Sequence, residues 1–160
     1  MAALGLGYGA LQTGISCGTV FNALAIAGTA ITAALALPLV TNATAGYVTE
    51  ADLELLLSAS MTTVAGAPNI QGFFALANSS TNYDQYAVSN SQLFPIVDTS
   101  FTFQLLPSTA YTAVIRIPRL ILPRVASTTA NPKLVLYNNS GVAFPATVTA
   151  TLYPSGYDAG

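Results

Sequence analysis

Three carboxylates occupy alternate positions in Glu50-Ala51-Asp52-Leu53-Glu54. Carboxylates held close together can do acid–base work or bind calcium. On an extended chain all three project from one face, about 7 Å apart, so like charges crowd and a cation or a basic partner relieves them. No further oxygen ligands follow at the spacing of an EF-hand or a glycine-rich calcium repeat, and the plainer reading is a solvated or contact-forming face. Arg116, Arg119 and Arg124 form the second cluster. Guanidinium groups bind phosphate or a sugar carboxylate, and they also make bidentate bonds to protein carboxylates. The expected partner is the acidic row of a neighbouring subunit. Tyr83 and Tyr86, with Phe94 nearby, offer a platform for a sugar ring or anchors for a protein interface, where tyrosine is enriched. Glu50, Asp52, Glu54, Tyr83, Tyr86, Arg116, Arg119 and Arg124 are therefore the candidate interface residues.

The chain has no histidine and a single cysteine, Cys17. That removes most nucleophile–base pairs and transition-metal sites, along with any intrachain disulfide. The expectation is a protein without enzymatic activity, cofactor or metal, in which Cys17 serves as a small buried apolar residue. Gly5, Gly7 and Gly9 neither follow a strand nor open a helix, so they are not a phosphate loop. Asn42, Asn78 and Asn138 each begin a glycosylation-type triplet, a match that a chain rich in Asn, Ser and Thr produces by chance.

Only 6% of the 160 residues are charged, against about 25% in ordinary soluble domains. Uncharged Asn, Gln, Ser and Thr supply the polarity, and such a surface loses little when desolvated against a partner, which favours extensive protein contact. Four basic residues and a net charge of −2 exclude nucleic acid as a partner, since neutralising even ~6 phosphates needs more Lys and Arg than the chain has.

The elements that must position these residues read as strands. Lys133–Tyr137 carries β-branched and aromatic residues, Asn138-Asn139-Ser140-Gly141 supplies turn chemistry, and Thr147–Tyr153 alternates Thr147, Thr149, Thr151 with Val148, Ala150, Leu152. Further short strands are predicted at Ile70–Ala77, Ser100–Leu105, Thr112–Ile117 and Arg119–Leu122, separated by Pro68, Pro95, Pro107, Pro118 and Pro123. Asp52–Ala59 alternates as a strand does, but Thr49 with Asp52 resembles a helix capping box and the leucines favour a helix, so periodicity leaves both open. Many short strands with Gly, Pro and Asn between them imply an all-β chain, an antiparallel β-sandwich of jelly-roll type.

The first charge in the chain is Glu50. The uncharged run Val20–Val40 is long enough for a membrane helix, but no Lys or Arg flanks it and Asn22, Thr29 and Thr32 interrupt it. The favoured reading is an extended N-terminal arm over residues 1–23, too glycine-rich for a helix, followed by a β-sandwich domain over 24–160 with a first strand within Gly28–Leu39. Ordering such an arm costs about 1–2 kcal/mol per residue, so it is expected to become ordered only against neighbouring subunits or a larger particle.

Taken together, Lys133–Tyr153 resembles the C-terminal end of the small head-decoration, or cement, proteins of tailed bacteriophages. That family repeats a Lys-led apolar strand, an Asn-Asn-Ser/Thr-Gly turn and a Thr-rich last strand ending in an aromatic residue. Ala77–Asp84 (ANSSTNYD) resembles the family's Ser/Asp-Gly-Thr-Asn-Tyr-Asp loop, with Ser79-Ser80 where Asp-Gly is common. The resemblance spans about residues 50 to 155 and favours a strand at Asp52–Ala59. It implies a structural virion protein on the outer surface of the capsid, bound to the major capsid protein and to itself as a homotrimer, with neither nucleic acid nor membrane as partner. A carbohydrate-binding sandwich on a virion appendage and a membrane-anchored structural protein are the alternatives.

Overall fold

The computed structural model describes residues 6–8, 13–37, 47–75, 99–123 and 131–159. Among them there is no helix. The strands are β1 (Leu6–Tyr8), β2 (Ile15–Ser16), β3 (Thr29–Ile31), β4 (Tyr47–Leu57), β5 (Met61–Thr62), β6 (Asn69–Ala75), β7 (Phe101–Gln104), β8 (Ala110–Tyr111), β9 (Val114–Ile121), β10 (Lys133–Asn139) and β11 (Val148–Ala159). One five-stranded sheet runs β1-β11-β4-β9, with β2 also on β11, and a four-stranded sheet runs β3-β10-β6-β7. A two-stranded β5-β8 pair completes the set, and every pairing is antiparallel.

The two larger sheets close on one apolar core. Ala51, Leu53, Leu55 and Leu57 of β4, Ile115 and Ile117 of β9 and Val148, Ala150 and Leu152 of β11 meet Ile70 and Phe74 of β6 and Leu134 and Leu136 of β10. The alternation read from the sequence thus selects the core face of β4 and β11, and the 50–57 segment is a strand. Burial of alternate leucines rewards the strand, whereas a helix would spread them around its axis. In β6 and β10 both faces are covered. Phe73, Ala75 and Val135, which point away from the main core, form a second buried cluster with Ile31 packed against it. The nearly continuous apolar run in β6 follows from that double burial.

The N-terminal stretch from Thr13 onward is extended where its glycines imply, but it belongs to the fold. β2 pairs with β11 through Ser16 opposite Thr151 and Ile15 opposite Leu152. The Cys17 N–H donates to the Ala150 carbonyl at 2.9 Å, and Cys17 and Phe21 lie in the main core. The expected boundary at residues 23 and 24 falls within a run of turns whose Phe21 and Leu24 are both buried. No helix of the described residues is long and apolar enough to cross a membrane. The polar residues interrupting Val20–Val40 instead bind the other strands: Asn22 Oδ1 accepts from Val148 N–H at 2.7 Å and Thr32 Oγ1 from Leu134 N–H at 2.9 Å. The strand expected within Gly28–Leu39 is shorter than its alternation implies. After Ala30 and Thr32 the buried phase shifts by one at Ala33-Ala34, to Leu35 and Leu37, and β3 stops at Ile31.

The turn read at Asn138–Gly141 joins two sheets. The strands on either side do not form a hairpin, because β10 and β11 lie in different sheets. The turn is a crossing, and Asn138, with no solvent exposure, holds it. Its Nδ2 donates to the carbonyls of Leu24 (3.1 Å), Ala25 (3.2 Å) and Val142 (2.8 Å). Its Oδ1 accepts from Ser140 N–H at 3.1 Å and Ser140 Oγ at 2.6 Å. Gly141, at φ +80°, lies under Val64, whose side chain would clash with an added Cβ. The triplet at Asn138 is thus too deeply buried to be a glycosylation acceptor.

Replacing Asn138 with Ala leaves the Leu24, Ala25 and Val142 carbonyls without this donor. The expected loss is about 3 kcal/mol in urea unfolding. Cys17 provides a second measurement. Burial pushes its thiol up to about 12, against a smaller opposing effect of a backbone hydrogen bond at Leu152. Since the folded value exceeds the unfolded one, the thiol's contribution is fully present below the unfolded value and fades as pH rises through the folded one. Stability should fall between about pH 9 and 12 more steeply in the parent chain than in Cys17→Ala, and iodoacetamide should label Cys17 only on unfolding.

Candidate functional site

The sequence-predicted acidic row and two of the three arginines meet on the solvent face of β4 and β9. Leu53 and Leu55 point inward from β4, so Glu50, Asp52 and Glu54 share the opposite face. Antiparallel register sets Glu54 opposite Arg116 and Glu50 opposite Ile121. Arg116 Nη2 donates to Glu54 Oε2 at 2.6 Å. Arg119 reaches Glu50 with two longer contacts, Nε to Oε2 and Nη2 to Oε1, each 3.4 Å. Apart from Lys133, every charged side chain among the residues with described side chains lies on this face.

Asp52 has a different role. Between Ala51 and Leu53 the register of β4 against β9 shifts, so Asp52 faces both Pro118 and Arg119. This is a β-bulge, and Arg119 takes a left-handed φ of +57° in it. The Arg119 N–H donates to Asp52 Oδ1 at 3.0 Å, so a side chain replaces the ladder bond that the bulge removes. The sequence divides this region into two strands at Pro118, whereas the structure runs one strand through it. Proline is tolerated because β9 is an edge strand among the described residues and the bulge leaves that position without a ladder donor to supply.

The expected pairing of acidic and basic clusters is therefore present, but within one chain rather than between subunits. Neighbouring antiparallel strands bring the residues together before any second subunit arrives. Arg116 is held above its ordinary value by the Glu54 hydrogen bond first and by that carboxylate's charge second. The side chains of Arg116 and Arg119 are 62% and 69% exposed, so water and salt screen both pairs. Tyr83, Tyr86 and Arg124 lie outside the described residues.

Three exposed apolar side chains border the charged strip: Leu56 and Val114 opposite one another at one end, and Ile121 at the other. Sequence reasoning did not single them out, although Leu56 and Val114 hold outward positions in alternating stretches. It also missed Ile26, on the loop that bonds Asn138, and Leu106, 64% exposed on the β7–β8 loop. Among the described residues no group of three His, Cys, Asp or Glu is placed to hold a metal ion. Chemically the face offers screened ion pairs flanked by apolar side chains.

No family model, curated protein or solved structure matches this chain.

The two kinds of interaction on the strip separate by mutation. Arg116→Ala should leave the urea midpoint unchanged within error. Asp52→Ala, which uncouples the bulge from β4, should cost about 1 kcal/mol, as a lower midpoint at unchanged slope.

Proposed function

We propose that this chain is a non-enzymatic structural virion protein, a decoration protein that binds the outer surface of a phage capsid and braces it. The observation that carries the reading is the pairing of the strands. Taking β2, β3, β4, β6, β7, β9, β10 and β11 as first to eighth, first pairs with eighth, second with seventh, third with sixth and fourth with fifth. The remaining partners are eighth with third and seventh with fourth. A long antiparallel hairpin rolled over on itself has this order, which is that of a jelly roll, an architecture common in viral coats. In this reading the arm is the stretch before β2, and β1 within it also lies on β11.

The surface chemistry supports the same reading. Among the residues with described side chains, charge other than that of Lys133 gathers on one strip that pairs with itself, so contact with the described surface elsewhere desolvates mainly amides, hydroxyls and apolar tips. Such a surface suits docking against major capsid protein and against further copies of itself, here as a homotrimer. Whatever binds the assembled lattice but not its separated subunits stabilises assembly by mass action, and many identical contacts multiply the effect.

Particles made from the encoding genome, purified by density and analysed by mass spectrometry, should contain the chain in many copies. Particles lacking it should release DNA at a lower temperature. Its absence from purified particles would sink the proposal.

A further inference from the structure

β9 is the longest strand with an open edge among the described residues. It has eight residues, against three in β3 and four in β7, the edge strands of the other sheet. Open edges of this length invite pairing with another chain, and apolar, weakly charged ones do so most. Leu56, Val114 and Ile121 leave both ends of this edge apolar. A second copy of the same chain is the partner always at hand.

The direction of each backbone donor follows from the ladder. Leu57 N–H donates to the Ala113 carbonyl at 2.7 Å. Alternation from that pair turns the N–H groups of Ile115 and Ile117 toward β4 and those of Val114 and Arg116 outward. The next outward position is Pro118, which has no N–H. The following N–H, on Arg119, is taken by Asp52 Oδ1, and the Arg119 side chain is turned back to Glu50. The left-handed residue bends the strand at that point. An incoming strand would find two donors and then a break.

We propose that the Pro118–Arg119 bulge, fastened by Asp52, is a lock that keeps β9 of one copy from pairing with β9 of another. A chain with few charges cannot guard an edge with a row of lysines. Proline, a bulge and one carboxylate supply the protection instead, and Glu50 and Glu54 hold the neighbouring arginines over the same face.

The test removes the extra residue. Deletion of Arg119 combined with Pro118→Thr brings β9 into unbroken register with β4 and restores an outward N–H at position 118. Sedimentation velocity of the full chain over a range of concentrations is compared with the parent. The expected result is self-association about tenfold tighter or more than the parent's, with the Val114 and Arg116 amides gaining protection from hydrogen exchange as concentration rises. A variant that is folded by circular dichroism, sediments as the parent does and leaves those amides unprotected overturns the proposal. Should the deletion variant fail to fold, Asp52→Ala and Pro118→Val decide in its place. Each weakens one part of the lock, and unchanged sedimentation in both overturns it equally.

Discussion

Every crossing between the two sheets must satisfy its backbone donors and acceptors beside an apolar core, in a chain with few charged side chains. Uncharged side chains carry that burden. Asn22, Thr32 and Asn138 join the N-terminal segment to β10 and β11. Thr63 accepts from Thr109 N–H and donates to the Leu106 carbonyl, tying the β5 region to the β7–β8 loop. Thr99 does the same for Phe74 in β6. Among the described residues no buried side-chain nitrogen or oxygen lacks a partner. Without these bonds the leucine and phenylalanine faces would still attract one another, but nothing would fix which strand lies on which.

That economy explains the surface. With amides and hydroxyls making the interior bonds, most of the ionised groups with described side chains gather on one outward strip, where Glu50, Asp52 and Glu54 meet Arg116 and Arg119. Three carboxylates face two guanidinium groups there, and the third carboxylate serves the backbone. The strip resembles a closed circuit more than a binding site.

Much of the fold was legible where one face of a strand is wet. Leu53, Leu55, Val148, Ala150 and Leu152 stand at a period of two, and the structure buries them. Legibility failed where connectivity decides. Nothing local distinguishes a turn that closes a hairpin from one that crosses between sheets, so Asn138–Gly141 reads as either. The N-terminal stretch reads as a free arm because its partners, β10 and β11, lie more than a hundred residues further on. Pro118 reads as a break because edge position and bulge are properties of the sheet, not of the tripeptide. The acidic and arginine clusters read as partners across a subunit boundary, and their pairing within one chain is not legible, since it depends on β4 and β9 being neighbours.

The pairing of early strands with late ones also bears on how the chain comes to be folded. Asn22 bonds Val148 across 126 positions and Thr32 bonds Leu134 across 102. On a ribosome, β2 and β3 emerge long before β11 and β10 exist, so their edges and the Phe21 side chain wait unpartnered while the middle of the chain is made. Contacts of such high order make folding slow, and the core closes only near the end of synthesis. A chain of this design therefore delays its own completion, and nascent copies crowded on one message present sticky, half-built sheets to each other for most of that interval.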